Sequence, residues 1–271
     1  DTNQYTILAF NVPGNGYTIQ NDQIAANYRK FTARDIAEIF VQGLDLLEID
    51  KLFAIIGASV GGGIAWELAT LKPKLAQHLI PIATDWKATD WIISNCHIQD
   101  LILNHSDQPI ADARAHAMTL YRTPESLSHK INRSLNSDNP EFYNAESWLN
   151  HHGKSLQQRF SLSAYKIMNQ ILKTIDITRR KEPFLQIASK IKSDIHIITI
   201  NSDLFFKPEE NWRTYVDLKP VKENVFIHEI KSIHGHDAFL IEFSQLQRFL
   251  KPIFRREQTN KTELLNIQKC A

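Results

Sequence analysis

The chain of 271 residues has 43% hydrophobic and 23% charged side chains, enough for one large α/β domain or a core with a subdomain. Lysine and arginine number 31 against 30 acidic residues and are scattered, so neither nucleic acid nor a membrane is an expected partner. Two cysteines, Cys96 and Cys270, show neither a disulfide framework nor metal-ligand spacing. We therefore expect a cytoplasmic protein without a metal site.

The first part of the chain alternates strand-like and helix-like segments. Tyr5 to Asn11 is an aromatic and β-branched run that predicts a buried strand, and its position directly after the first residues suggests a missing N-terminal part. Helical spacing predicts a helix from Thr32 to Ile49. Apolar runs at Leu52 to Ile56 and Gln77 to Ala83 predict further strands, so the sheet should be parallel with right-handed crossovers.

The turn after Ile56 has the pattern G-x-S-x-G, written here as Gly57-Ala58-Ser59-Val60-Gly61. Strand, tight turn and helix in this order are typical of a nucleophile elbow, in which the serine hydroxyl is exposed at the top of a sheet. Ser59 is the candidate nucleophile, and the amide of Val60 is a candidate oxyanion donor at a helix N-terminus. The alternative is a serine that only caps the helix.

The pattern changes after Asp85, where no strand-like run occurs for about a hundred residues. We therefore divide the chain into a first core part (1–84), a helical lid (85–190), a second core part (191–255) and a polar tail (256–271). Strands are expected at Asp194 to Asn201 and Asn224 to Ile230, and a last helix at Ala238 to Leu250. The expected lid helices are Trp86 to Asn104, Ala111 to Tyr121, Pro124 to Ile131, Glu141 to Asn150 and Leu156 to Ile175.

A serine nucleophile needs a base and a carboxylate that orients the base. Asp203 follows one predicted strand and His236 follows the next, so Ser59, Asp203 and His236 occur in the order found in α/β hydrolases. His234 is a rival base, because spacing alone does not separate it from His236.

Five segments carry a resemblance to a known family: FAIIGASVGGGIAWELA, PIATDWKATDW, DARAHAMTLYRTPESL, INSDLFF and IHGHDAFLIE. They are similar to motifs of homoserine O-acetyltransferases and their acyltransferase relatives, and the match runs from about Tyr5 to Phe254. The resemblance implies an α/β-hydrolase fold with a mostly parallel sheet, helices on both faces and an inserted helical lid. It also implies His236 as base, Asp203 as orienting carboxylate and Ser59 as nucleophile.

The same resemblance implies a homoserine site at Arg114, Tyr121 and Asp237. Homoserine is a zwitterion, so a guanidinium for its carboxylate and an acidic group for its ammonium fit Arg114 and Asp237. Without the resemblance, Arg114 reads as a solvated helix residue. The sequence departs from the family in the loop Pro13 to Tyr17 and in the second oxyanion donor, which would precede Asp1.

The resemblance implies transfer of an acetyl group from acetyl-CoA to L-homoserine, as in methionine biosynthesis, with no bound cofactor. A succinyl donor, a serine acceptor, a plain serine hydrolase and an inactive module without its full oxyanion hole stay open. A homodimer is expected, because the helical insertion (85–190) carries more apolar surface than a lid over one cleft needs, and because relatives pair through their lid helices. The expected contact stretch is Trp148 to Tyr165, and the alternative is that these side chains pack inward.

Overall fold

The structure, a computed structural model, describes residues 2–16 and 26–255. The strands are β1 (Leu52–Ala58), β2 (Ala76–Ile82), β3 (Asp194–Ile200) and β4 (Val225–Ile230). The helices are α1 (Ala33–Leu46), α2 (Val60–Leu71), α3 (Asp90–His105), α4 (Pro109–Tyr121), α5 (Pro124–Ile131), α6 (Asn144–Gln157), α7 (Leu162–Lys173), α8 (Phe184–Ala188) and α9 (Pro208–Leu218). A helix α10 covers 243–255, and 3-10 helices cover Tyr28–Lys30 and Gly235–Leu240.

The four strands form one sheet in the order β1-β2-β3-β4, and all three neighbouring pairs are parallel. The predicted parallel sheet is thereby confirmed. Because every strand runs in the same direction, the residues that follow the strands meet at one edge of the sheet.

Both faces of the sheet are covered, as the near-continuous apolar sequences of the strands require. In β3, Ile195 and Ile197 join the core beneath helices α1, α2 and α7. Ile198 and Ile200 join a second core that includes Ile253 of α10. Alternate residues of one strand thus point to opposite layers.

Helix α1 begins where its sequence indicates. The Thr32 hydroxyl accepts from the Asp35 amide at 3.2 Å, and the Asp35 carboxylate accepts from the Thr32 amide at 2.8 Å. This reciprocal capping satisfies two amides that have no partner within the helix. The helix ends at Leu46, before the predicted Ile49.

The predicted strand Tyr5 to Asn11 is wrong, because residues 5–12 are irregular in the structure. The aromatic rings of this segment pack on other elements. Tyr5 lies 4.9 Å from the Phe53 ring and donates from its hydroxyl to the Phe254 carbonyl at 3.1 Å, and Phe10 stacks on Phe40 at 4.8 Å. The apolar and aromatic composition correctly indicated a segment that packs on the core. A strand in addition needs a neighbouring strand with which to form hydrogen bonds.

Six helices, α3 to α8, lie between β2 and β3. The expected lid helices have counterparts there, with ends shifted by up to seven residues, and α8 was not predicted. The division into core and lid stays a prediction. The last helix differs more, because the segment predicted as one helix contains a 3-10 helix ending at Leu240 and then α10.

The described residues include no helix that is both long and apolar enough to span a bilayer. Cys96 is buried and free. Cys270 and the predicted tail (256–271) lie outside the described residues.

Stability should depend on pH through Asp85. Burial raises the pKa of this carboxyl to about 7, although the Trp86 amide and the Thr214 hydroxyl both donate to it. The folded protein therefore holds a proton that the unfolded chain has released above about pH 4, so stability falls as the pH rises from about 4 to 7. We expect Asp85→Asn to gain roughly 2–4 kcal/mol relative to the wild type between pH 5 and pH 8. Urea unfolding of both proteins across this range measures it, and parallel pH profiles would contradict the assignment.

Candidate active site

Ser59 lies in the turn between β1 and α2 in a strained backbone conformation. Its φ of 51° and ψ of −125° are rare for a residue with a Cβ, as a nucleophile elbow requires. The Ser59 amide donates to the Ile82 carbonyl at 2.9 Å, which ties the turn to β2. The Ser59 hydroxyl makes no capping hydrogen bond to α2, so the predicted alternative of a simple helix cap is wrong.

The elbow also depends on glycines that permit close approach. A Cβ built on Gly57 would overlap the Gly61 carbonyl oxygen, whereas one built on Gly61 meets no atom within 4 Å. We expect Gly57→Ala to lower the free energy of unfolding by about 3 kcal/mol or more, because rigid backbone has to move. Gly61→Ala, in the first turn of α2, should be neutral or gain up to about 1 kcal/mol. Thermal unfolding of both variants tests this, and equal stability would contradict the packing described here.

The structure brings Ser59, Asp203 and His236 together at the carboxyl ends of three strands. His236 Nδ1 lies 2.7 Å from Asp203 Oδ2, and His236 Nε2 lies 2.9 Å from Ser59 Oγ. Because a carboxylate only accepts, Nδ1 carries the proton of the neutral ring. His236 Nε2 then accepts from the Ser59 hydroxyl and can take its proton.

Asp203 is fully buried in a way that fixes its orientation. Its Oδ1 accepts from the amides of Phe205 at 2.7 Å and Phe206 at 2.9 Å, which leaves Oδ2 for His236. The loop after β3 thus satisfies Oδ1, and His236 satisfies Oδ2. Rings of Phe205, Phe206 and Phe239 lie within 6 Å of the His236 ring and shield it from water.

The rival base His234 has other partners. Its Nδ1 lies 3.0 Å from Ser126 Oγ and 3.4 Å from Arg122 Nη1, at the start of α5. One glycine separates His234 from His236, and Gly235 has a φ of 67° that turns the chain between them. Of the two histidines, His236 is the one hydrogen-bonded to Ser59.

A cavity of 260 Å³ opens at Ser59. Val60, the first residue of α2, also lines it, and amides in the first turn of a helix have no acceptor within the helix. The cavity is smaller than the usual range for drug-sized ligands, which favours a small substrate. Its other walls come from α3, α4, α6 and α7 and from Phe205.

Arg114 and Tyr121 both lie on α4 and line this cavity. The Arg114 guanidinium carbon is 5.4 Å from the Tyr121 ring centroid. Burial raises the pKa of Tyr121 to about 12, so its hydroxyl stays protonated and can donate at neutral pH. A fixed cation and a phenol therefore share the cavity with Ser59.

Asp237 has a different position from these two. Its carboxylate lies 3.1 Å from Arg122 Nε in a partly exposed ion pair. Among the described residues, the set that lines the cavity includes neither Asp237 nor Arg122.

Sequence reasoning missed the buried amides of the cavity. Asn95 and Gln99 of α3 are nine-tenths or more buried, and so is Asn169 of α7. Gln99 Nε2 donates to the Ala113 carbonyl at 3.0 Å, while its Oε1 is buried and has no hydrogen-bond partner among the described residues. Two amide side chains four residues apart on the apolar face of a helix are the signal that could have identified Asn95 and Gln99.

A larger depression of 1210 Å³ lies elsewhere and is bordered by charged residues of α1, α3 and α7. None of Ser59, Asp203 and His236 lines it. Although it is larger, this depression is therefore not the site at which Ser59 would react.

The sequence profile of the alpha/beta hydrolase fold matches residues 1–240. The homoserine O-acetyltransferase of Cyclobacterium marinum is 31% identical over 255 residues, which cover 90% of this chain and 70% of that protein. The homoserine O-acetyltransferase of Methanococcus vannielii is 30% identical, and the alignment covers 91% of this chain but only 56% of that protein. This chain thus spans little more than half of that relative's length.

A solved structure supports the same fold. The crystal structure of esterase E22 matches with a TM-score of 0.76 at 15% identity, over 88% of this chain and 72% of that chain. Together with the profile match and the sequence relatives, this places the chain clearly. It belongs to the α/β-hydrolase fold family and, within that family, to the group related to homoserine O-acetyltransferases.

Proposed function

We propose that this chain carries the active site of an O-acyltransferase that moves an acetyl group from acetyl-CoA to the hydroxyl of L-homoserine. One observation carries the proposal: a serine hydrogen-bonded to a histidine–aspartate pair shares its cavity with a fixed cation, Arg114. The similarity to homoserine O-acetyltransferases supports the choice of acceptor and donor.

In the first half-reaction, Ser59 Oγ attacks the thioester carbonyl carbon while its proton passes to His236 Nε2. The Val60 amide donates to the oxyanion of the tetrahedral intermediate. CoA leaves as the thiol after taking the proton from His236, and the acetyl group stays on Ser59 as an ester. Asp203 stabilises the imidazolium that forms between these steps.

In the second half-reaction, the homoserine hydroxyl transfers its proton to His236 and attacks the acetyl ester. Collapse of the intermediate returns the proton to Ser59 and releases O-acetylhomoserine. Arg114 suits the substrate carboxylate as a bidentate donor. The unpartnered Oε1 of Gln99 suits the substrate ammonium as an acceptor. The role expected for Asp237 stays a prediction, because its carboxylate is paired with Arg122.

Arg114→Ala tests the choice of acceptor. We expect kcat/KM for homoserine to fall about 100-fold, since a charge-assisted contact to the substrate is lost, while hydrolysis of a small neutral acetyl ester stays within about threefold. The assays follow thiol release from acetyl-CoA with homoserine and ester hydrolysis without it. Arg133→Ala is the matched control, because Arg133 also lies over a tyrosine, Tyr143 at 5.5 Å, but does not line the cavity.

A serine hydrolase is the second candidate, favoured by the structural similarity to esterase E22 and by the same serine, histidine and aspartate. Equal losses of transfer and hydrolysis in Arg114→Ala would support this candidate. Parallel assays with succinyl-CoA and with serine decide the donor and the acceptor within the transferase proposal.

The homodimer stays a prediction. Leu156, Phe160 and Tyr165, three apolar residues of the stretch from which it was inferred, line the cavity at Ser59. Part of the apolar area between Trp148 and Tyr165 therefore has a role within one chain.

A further inference from the structure

Three potential metal ligands meet on one face of the sheet, at the end opposite Ser59. His78 of β2 and Asp194 of β3 are paired in the register of the two parallel strands. Paired residues of neighbouring strands project to the same face, and His196, two residues after Asp194, projects to that face as well. The face is the one covered by α10.

The ligand atoms have spacings that suit one small cation. His196 Nε2 lies 3.3 Å from His78 Nδ1, which lies 3.7 Å from Asp194 Oδ2, and all three atoms lie within 4.8 Å of one another. Bonds of about 2.0–2.2 Å to a tetrahedral Zn²⁺ place neighbouring ligand atoms about 3.3–3.6 Å apart. The distance between the two imidazole nitrogens lies in this range, and the distance from His78 Nδ1 to Asp194 Oδ2 exceeds it by 0.1 Å.

We propose that His78, Asp194 and His196 form a binding site for a divalent transition-metal cation of the Zn²⁺ class. Two imidazoles and one carboxylate are a ligand set that zinc uses, with a water molecule in the fourth position. This site was not expected from the sequence, where only cysteine spacing was considered for a metal. It is independent of the acyltransferase proposal.

Aromatic rings pack against the two histidine ligands, and the aspartate ligand is partly exposed. The Phe53 ring packs against His78 at 4.9 Å, and the Phe226 ring stacks on His196 at 5.0 Å. Both imidazoles are largely buried, whereas the Asp194 side chain is 30% exposed, so solvent reaches one of the three ligands.

The charges near the site are mixed. Lys222 interacts electrostatically with both Asp194 and Lys192. The positive charges of these two lysines oppose the binding of a cation nearby. The Lys222 ammonium, however, donates to the Ile191 carbonyl at 2.8 Å. The ligand carboxylate therefore is not neutralised by a direct ion pair with Lys222.

Metal binding replaces the contact between His196 Nε2 and His78 Nδ1. It needs only a choice of tautomer in each neutral imidazole. Each imidazole offers a lone pair to the metal, so neutral His78 carries its proton on Nε2 and neutral His196 carries its proton on Nδ1. Asp194 contributes a carboxylate oxygen as the third ligand atom. The cation thus joins β2 and β3 without a further reactant, and its expected role is to stabilise the fold at this end of the sheet.

Titration of the untagged, metal-free protein with Co²⁺ and with Zn²⁺ tests the proposal. We expect one Co²⁺ to give the visible absorption of a tetrahedral or five-coordinate ion, Zn²⁺ to displace it, and Zn²⁺ to raise Tm. His78→Gln, His196→Gln and Asp194→Asn should each weaken binding by at least about 100-fold, since loss of an outer-shell partner alone costs about 10- to 100-fold.

His228→Gln is the matched control. His228 stacks beside His196 with ring centroids 6.5 Å apart but is not one of the three ligands, so this variant should bind like the wild type. The Tm of each metal-free variant establishes that it is folded before titration. Absence of stoichiometric binding by the wild type, or unchanged binding in the three ligand variants, would overturn the proposal.

Discussion

Replacing Ser59 by alanine is expected to lower kcat for acyl transfer by about 10⁶-fold while the protein stays folded. In the proposed mechanism the Ser59 hydroxyl is the group that attacks the thioester, and it is hydrogen-bonded to His236 Nε2 at 2.9 Å. Alanine occupies the same strained turn with one atom less, so Tm should change little. Initial rates with acetyl-CoA and homoserine, together with thermal unfolding, measure both expectations.

The two histidines on either side of Gly235 provide the control for this prediction. His236→Ala should lose about as much activity as Ser59→Ala, and the double variant little more, because the two groups act as one unit. His234→Ala should keep its rate within about tenfold, since His234 contacts Ser126 and Arg122. Comparable losses in the two histidine variants would contradict the assignment of the base.

Asp203→Asn has the second largest expected effect, a fall of about 10⁴-fold in kcat. The asparagine Oδ1 can still accept from the amides of Phe205 and Phe206, so the loop keeps its conformation. Its Nδ2 then faces His236 and donates to Nδ1, which forces the ring proton onto Nε2. A histidine in that tautomer cannot take the Ser59 proton.

Asp203→Asn should therefore change kcat and Tm to different extents, with a large fall in kcat and a small change in Tm. Asp237→Asn is the comparison, because Asp237 is paired with Arg122 and not with the imidazole, so an effect of this change on homoserine binding should appear in KM and not in kcat. If Asp203→Asn kept more than about a tenth of the wild-type rate, the orienting role of Asp203 would be contradicted.

Local sequence patterns were sufficient to predict the elements that position the candidate site. The α/β-hydrolase fold and the parallel sheet are confirmed, and Ser59 occupies the turn that the glycine pattern indicated. The carboxyl ends of parallel strands meet at one edge of the sheet. Because Ser59, Asp203 and His236 each follow a predicted strand, the sequence was enough to place them at that edge.

Features that depend on contacts distant in sequence were not predictable in the same way. Tyr5 to Asn11 has the composition of a strand, but its tyrosine ring packs against Phe53 and Phe254. His234 and His236 both follow the same strand, one glycine apart, and the turn at Gly235 gives them different partners. The hydrogen-bond partners of Gln99 were not predictable, because they depend on the packing of α3 against α4.

The most direct test of the account is to find the acyl group on Ser59 and follow its fate. The protein is mixed with acetyl-CoA, quenched at short times, and analysed by intact mass and peptide mapping. We predict that the mass of one acetyl group appears on the peptide containing Ser59 and disappears at a rate that rises with homoserine concentration, with O-acetylhomoserine formed in equal amount. Absence of acylation at Ser59, or a discharge rate that does not depend on homoserine, would contradict the account.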